Sequence, residues 1–202
     1  MANLNILKEN ELTLTGLLLF SEKRQYLKPL FTIQCVSASD HLNNGNTYTD
    51  SEPPIDGPLK TIFGKAMGFI DRKMRKVPIG ESFNSQATWE IPYAAFEELI
   101  VNALIHRDYF IQSTIKIFVY PGRVEIHSPG RLPNALTIEN VKNGISIQRN
   151  PILQSLAQYV LPYKGLGTGI TRALALYPSI DFHNEVENSR FRVTIHRPPG
   201  GL

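Results

Sequence analysis

The sequence predicts an α/β protein of the α+β kind, a two-layer sandwich with a mixed, largely antiparallel sheet and helices on one face. Three observations predict it. Ile115, Ile117 and Val119, then Val124 and Ile126, alternate with polar neighbours at the two-residue period of half-buried strands. Two long segments, 59–74 and 93–109, the second closed by an Arg-Asp-Tyr turn, instead repeat their apolar residues at helical spacing. Pro121-Gly122 joins two of the strands tightly enough to make them antiparallel neighbours, and helices interspersed with such strands pack as a second layer. With 202 residues, 42% of them hydrophobic and 19% charged, the chain can bury a real core as one domain or two small ones.

In chain order, residues 1–10 are polar. Residues 12–20 are compact and apolar, and Thr13 or Thr15 is placed to cap a helix, although so short a run suits helix or strand. Phe31, Ile33 and Cys35 alternate with Thr32 and Gln34, which predicts a strand over 30–38. The stretch 39–57, with Asn43-Asn44-Gly45-Asn46 and Pro53-Pro54, reads as a long surface loop and an internal boundary. It divides an N-terminal linking segment packed on the core, 1–56, from the main domain, 57–202. Pro58 suits the first turn of a helix in which Leu59, Ile62, Phe63, Ala66, Phe69 and Ile70 share a face. Arg72, Lys73, Arg75 and Lys76 crowd its end, where cations complement the helix dipole.

Residues 82–91 are expected to run extended to Pro92, which opens the central helix, closed in turn by Arg107-Asp108-Tyr109. Strands over 114–120 and 123–127 follow. The Asn- and Gly-rich stretch 131–150 holds at most a short helix around 137–143 and has the make-up of a lid. Asn150-Pro151 opens a helix through Leu153, Leu156, Ala157 and Val160. A glycine-rich loop, 164–169, enters a helix over 170–176, and strands over 181–186 and 190–196 close the chain.

Composition narrows the function. A net charge of +3 with scattered Lys and Arg is weak support for nucleic-acid binding. The longest apolar stretch, 12–20, is too short to span a bilayer, so a membrane partner is not expected and a cytoplasmic location is. A single cysteine, Cys35, rules out an intramolecular disulfide and reads as a buried strand residue. There is no G-x-x-x-x-G-K-[ST] loop, no nucleophile elbow, and no pair among the five histidines at metal-ligand spacing.

Two constellations remain. On the central helix Glu98, Asn102 and His106 stand at i, i+4 and i+8, a polar stripe about 80° wide on a helix that is otherwise apolar nearly all round. Burying such groups is costly unless they meet polar partners, so the stripe lines a cavity, a metal site or an internal hydrogen-bond network. Gly165, Gly167 and Gly169 precede a helix, where bare backbone N–H groups can approach a phosphate, and Lys164 and Thr168 add a charge and a hydroxyl.

Together the Glu98-x-x-x-Asn102 helix, the Ser128-Pro129-Gly130 turn, the lid and the glycine loop resemble the GHKL superfamily of ATPases, which share the Bergerat fold. NALIHRDY, IHSPGRLP, QRNP and KGLGTGI, in that order, are more similar still to the bacterial RecG-like C-terminal or transcriptional-regulator family. The resemblance covers roughly 57–196. It implies ATP or a related nucleotide with Mg²⁺: Asn102 as the metal ligand, Glu98 as the catalytic base for water, and His106 extending the stripe. Gly165, Gly167, Thr168 and Gly169 would meet the phosphates, with Lys164 beside them, Ser128 and Gly130 would lie near the base, and Thr194 near the adenine. The family also implies a regulatory module of a transcriptional regulator, weak ATPase activity at most, homodimerisation as a compatible assembly, and DNA contact through modules outside this chain. The segment before it resembles the linker to a Schlafen/AlbA-type module, which would lie upstream of Met1. No helicase motor motif is present. The adenine-binding aspartate of Asp-x-Gly-x-Gly is replaced by Ser128, and the second glycine by Leu132. The alternative is therefore a structural or oligomerisation module without nucleotide binding.

Overall fold

The computed structural model describes residues 4–39, 48–78, 86–133, 135–165 and 167–199. A hairpin of β1 (Leu7–Lys8) and β2 (Glu11–Leu12) leads into α1 (Leu14–Phe20). Thr13 decides the ambiguity of this stretch in favour of helix, because its hydroxyl accepts a hydrogen bond from Gly16 N at 3.2 Å. That satisfies one of the amides a helix N-terminus leaves without a partner. Thr13→Ala is expected to cost about 1 kcal/mol, read as a lower urea midpoint at unchanged slope.

β3 (Ile33–Ala38) and β4 (Tyr48–Ser51) come next, then α2 (Leu59–Lys73), the short strands β5 (Lys76–Pro78) and β6 (Ala87–Trp89), and α3 (Tyr93–Ile105). The hairpin β7 (Ile115–Val119) and β8 (Arg123–Pro129) is followed by α4 (Ile138–Lys142), α5 (Pro151–Ala157), α6 (Gly169–Leu176) and a second hairpin, β9 (Ile180–Glu185) and β10 (Arg190–His196).

Six strands form one sheet in the order β4-β3-β7-β8-β10-β9, antiparallel except for the β3–β7 pair. A parallel pair needs a long crossover, and α2 and α3 supply it. The result is the predicted two-layer α/β sandwich. Its core lies between the helices and one sheet face, where Ile62, Phe69, Ile70, Phe96 and Ile100 meet Ile33, Cys35, Ile117, Val124, Ile126 and Ile195, all at most 1% exposed. Each such side chain stabilises the fold by about 1.5–3 kcal/mol. No helix among the described residues is long and apolar enough to cross a membrane.

Strand alternation sends the remaining side chains to the opposite face. There Glu125 accepts from Arg123 Nε at 2.7 Å and pairs with His127 Nε2 at 2.8 Å, and these partners hold its carboxyl down at about 2.

One sequence expectation is revised, and another, the extended run 82–91, contains a strand where the structure describes it. Within 39–57, Tyr48–Ser51 is a strand on β3 rather than loop, and Ile55 is buried and bridges to Ile33. All four β4 residues are exposed, so an edge strand here carries none of the apolar alternation that betrays a strand. The Asn-rich part of that stretch, 40–47, lies outside the described residues. Within 82–91, the residues before 86 also lie outside them, and Ala87–Trp89 pairs with β5.

Candidate functional site

A cleft of about 1040 Å³, its open mouth included, lies between α3, the end of β8, the 131–149 stretch and the start of α6. α3 is buried along most of its length because apolar residues surround it, and its polar stripe is what faces the cleft. Asn102 Nδ2 donates to Glu98 O at 2.7 Å. This fixes the amide and leaves Oδ1 as its acceptor. Glu98 is only 7% exposed, and its Oε1 lies 2.7 Å from Arg172 NH1. Burial raises the Glu98 carboxyl above the ordinary carboxylate range, with Arg172 and Lys164 pulling the other way.

His106 closes α3 as its C-cap, with its N–H bonded to Asn102 O at 2.9 Å. Burial, reinforced by the Arg149 guanidinium, lowers its imidazole to about 4. The ring is therefore neutral at physiological pH. Arg107, next in sequence, turns away from the cleft: it is 1% exposed and donates to the carbonyls of Leu30, Ile111 and Ser113.

From the sheet, Ser128 Oγ donates to Ala103 O at 3.1 Å and keeps its lone pairs as acceptors at the cleft wall. Gly130 also lines the cleft, at φ +108°. The space a Cβ would need there is already filled by Asp108 and Arg149 from the protein itself, so its bare backbone serves internal packing.

Gly165 and Gly167 both sit at φ +71°, the left-handed region that favours glycine. Thr168 occupies the N-cap position of α6 without a side-chain cap bond, and Thr168, Gly169 and Ile170 all line the cleft. Gly169 begins α6 against the stripe: a Cβ there would lie 2.8 Å from both Asn102 Nδ2 and Glu98 Oε2. Lys164 is exposed at the rim.

The structure thus brings together Glu98, Asn102, His106, Ser128, Gly130, Lys164, Gly165, Gly167, Thr168 and Gly169. Thr194 is the exception. It sits in β10 between Val193 and Ile195, which both belong to the core, so alternation places it on the opposite sheet face and it does not line the cleft. Sequence reasoning missed Arg172, Arg149 and Tyr163, all in the lining. Arg172 had a readable signal, since it stands three residues after Gly169 and a helix places i and i+3 on one face. The lid stretch folds onto the same wall, with Thr171 Oγ1 donating to Lys142 O at 3.2 Å.

Among the described residues no three His, Cys, Asp or Glu side chains cluster as a metal cage. Asn102 Oδ1, which its bond to the Glu98 carbonyl leaves over, is an oxygen that could hold a hard metal ion.

Residues 112–195 match the family model described as "Putative ATP-dependent DNA helicase recG C-terminal". This portion, from β7 to β10, is similar to a RecG-like, ATPase-like domain, and the Glu98–Asn102–His106 stripe precedes it. Among solved structures the chain is similar to the DIP2311 protein from Corynebacterium diphtheriae, with a TM-score of 0.79 and 20% identity over 96% of this chain. At that identity the likeness is one of fold, and the chain spans 39% of the length of that protein. No curated protein matches the chain.

Proposed function

We propose that the cleft binds ATP or a related nucleotide with Mg²⁺ and that this domain is a GHKL-like regulatory module of a transcriptional regulator, in which the nucleotide biases lid closure or dimerisation. The observation that carries the reading is the seating of the α6 N-terminus. The N-terminus of α6, which no side chain caps, starts at Gly169 against the Glu98 carboxylate and the Asn102 amide, and two left-handed glycines before it line the same cleft, a combination suited to phosphate, metal and water in one place. Asn102 would hold the Mg²⁺, which when bound neutralises phosphate charge. The raised pKa of Glu98 suits a base for water, so slow hydrolysis is part of the proposal. Ser128, with its hydroxyl proton committed to Ala103 O, presents an acceptor where an exocyclic amine could donate. Target DNA would be contacted by modules outside this chain.

The test compares thermal midpoints with and without millimolar ATP and Mg²⁺, on wild type and Asn102→Ala. At about 100 times its dissociation constant a ligand stabilises by about 2.7 kcal/mol, a rise on the order of 5–10 °C for a chain of this size. Wild type is expected to show it and Asn102→Ala to lose it; an undiminished shift in the variant would refute the assignment.

One observation favours a second reading, a structural or oligomerisation module without a ligand: the Glu98 carboxylate already has Arg172 as a partner, and the Asn102 amide nitrogen already bonds the Glu98 main-chain carbonyl. It predicts no shift in wild type and an Asn102→Ala variant that is itself less stable by about 1–3 kcal/mol.

A further inference from the structure

Arg172 is a charged cleft residue to which the nucleotide reading gives no role. We propose that it binds the terminal phosphate of a nucleoside triphosphate and that, until such a ligand arrives, it holds Glu98 as a clamp. This rests on the nucleotide reading of the same cleft and adds what that reading lacks, a means of telling a triphosphate from a diphosphate.

The exposure of the two partners sets the direction of exchange. The Glu98 side chain is 9% exposed and fixed on α3, whereas the Arg172 side chain is 47% exposed at the cleft mouth. The arginine is the partner with open space to move into. Its ion pair with Glu98 runs from NH1 to Oε1 at 2.7 Å. A guanidinium binds phosphate with two parallel, charge-assisted N–H donors, and a terminal phosphate carries more charge than one carboxylate. A phosphate arriving beside Glu98 therefore competes well for the fork.

α6 supplies the reach without a rearrangement of the fold. Gly169 holds the start of the helix against Asn102 and Glu98, so a phosphate on its first amides lies one helical turn from Arg172. A diphosphate, one phosphate shorter, leaves the guanidinium on Glu98. Only the triphosphate frees the carboxylate to face water, which ties release of the base to the presence of the group it would act on. Thr171, adjacent to Arg172, bonds to Lys142 O of the lid stretch, so the same helix turn touches both the clamp and the lid.

Titration calorimetry with Mg²⁺, using ADP and a non-hydrolysable ATP analogue, tests this on wild type, Arg172→Met, Arg172→Lys and Glu98→Gln. Wild type is expected to prefer the triphosphate by about tenfold or more, as one charge-assisted contact allows. Arg172→Met should bind both nucleotides within about twofold of each other, the larger loss falling on the triphosphate, and Arg172→Lys should fall between, because a lysine keeps the charge but not the fork. Glu98→Gln, which removes the clamp and keeps Arg172, should gain several-fold more in triphosphate affinity than in ADP affinity.

A triphosphate preference that survives in Arg172→Met, or a Glu98→Gln variant with no such difference in gain, overturns the role of Arg172 while leaving the nucleotide site standing. Equal affinity of wild type for both nucleotides does the same. Wild type that binds neither nucleotide overturns the site and the clamp together.

Discussion

Gly130→Ala is expected to lower the thermal midpoint by about 6–12 °C, equivalent to a loss of about 3 kcal/mol for a chain of this length. Two independent penalties add at this position. The backbone stands at φ +108°, where an L side chain is strained, and the new Cβ would lie 2.3 Å from Arg149 NH1, 2.6 Å from Asp108 Cβ and 3.2 Å from Asp108 N. The guanidinium can swing aside, but the Asp108 atoms belong to the turn that closes α3. That turn cannot retreat freely, because Asp108 N donates to Pro129 O at 2.8 Å and Gly130 N to Ser189 O at 2.7 Å. Gly130 is thus where α3, the end of β8, the β9–β10 turn and the lid's Arg149 are tied together. A double-mutant cycle with Arg149→Ala separates the penalties. Relief of the guanidinium clash makes the double variant more stable than the sum of the single losses, by about 1 kcal/mol, whereas backbone strain alone would make the losses additive.

That knot shows which parts of the molecule the sequence discloses. Glu98, Asn102 and His106 were legible because a helix repeats every 3.6 residues, so residues four and eight apart had to share a face whatever surrounded them. The glycine loop was legible because alternating glycines before a helix have a backbone reason to be there. The hairpin β7–β8 followed from its alternation and Pro121-Gly122. What encloses the site was harder to read: Arg149 reaches it from the lid and Tyr163 from beyond α5, and no local period records a contact between segments distant in sequence. The purpose of Gly130 was hidden for the same reason, since the groups filling its Cβ space come from residues 108 and 149. Thr194 teaches the opposite lesson. The alternation of Val193 and Ile195 around it was available in the sequence and already placed it on the far face of the sheet, against the role that family resemblance implied. β4 left no trace because an exposed edge strand buries no side chains.

Stability should also fall with acid in a window that belongs to one residue of the stripe. The folded structure lowers the His106 imidazole from its ordinary 6.5 to about 4, first through burial and then through Arg149, whose NH1 donates to the His106 carbonyl at 3.2 Å. Between those values the unfolded chain binds a proton that the folded chain refuses, so the unfolded state carries more protons and stability rises with pH. The contribution is complete above about pH 6.5 and is lost as pH falls toward 4, amounting to about 3 kcal/mol at most. Glu125 has a separate and lower window: its depressed carboxyl stabilises the fold above about 4.5 and gives that up as pH falls toward about 2. Glu98 works in the opposite sense. Its raised carboxyl favours the folded state at low pH and that contribution fades as pH rises through the folded value, partly offsetting the His106 slope. Urea midpoints measured from pH 7 to pH 4 on wild type, His106→Asn and Glu98→Gln separate the groups. His106→Asn should flatten the loss between pH 6.5 and 4, and Glu98→Gln should steepen it. A wild-type slope unchanged by His106→Asn would mean that the imidazole takes up its proton in the folded cleft as readily as in water, and that the cleft wall around α3 is wetter than its packing indicates.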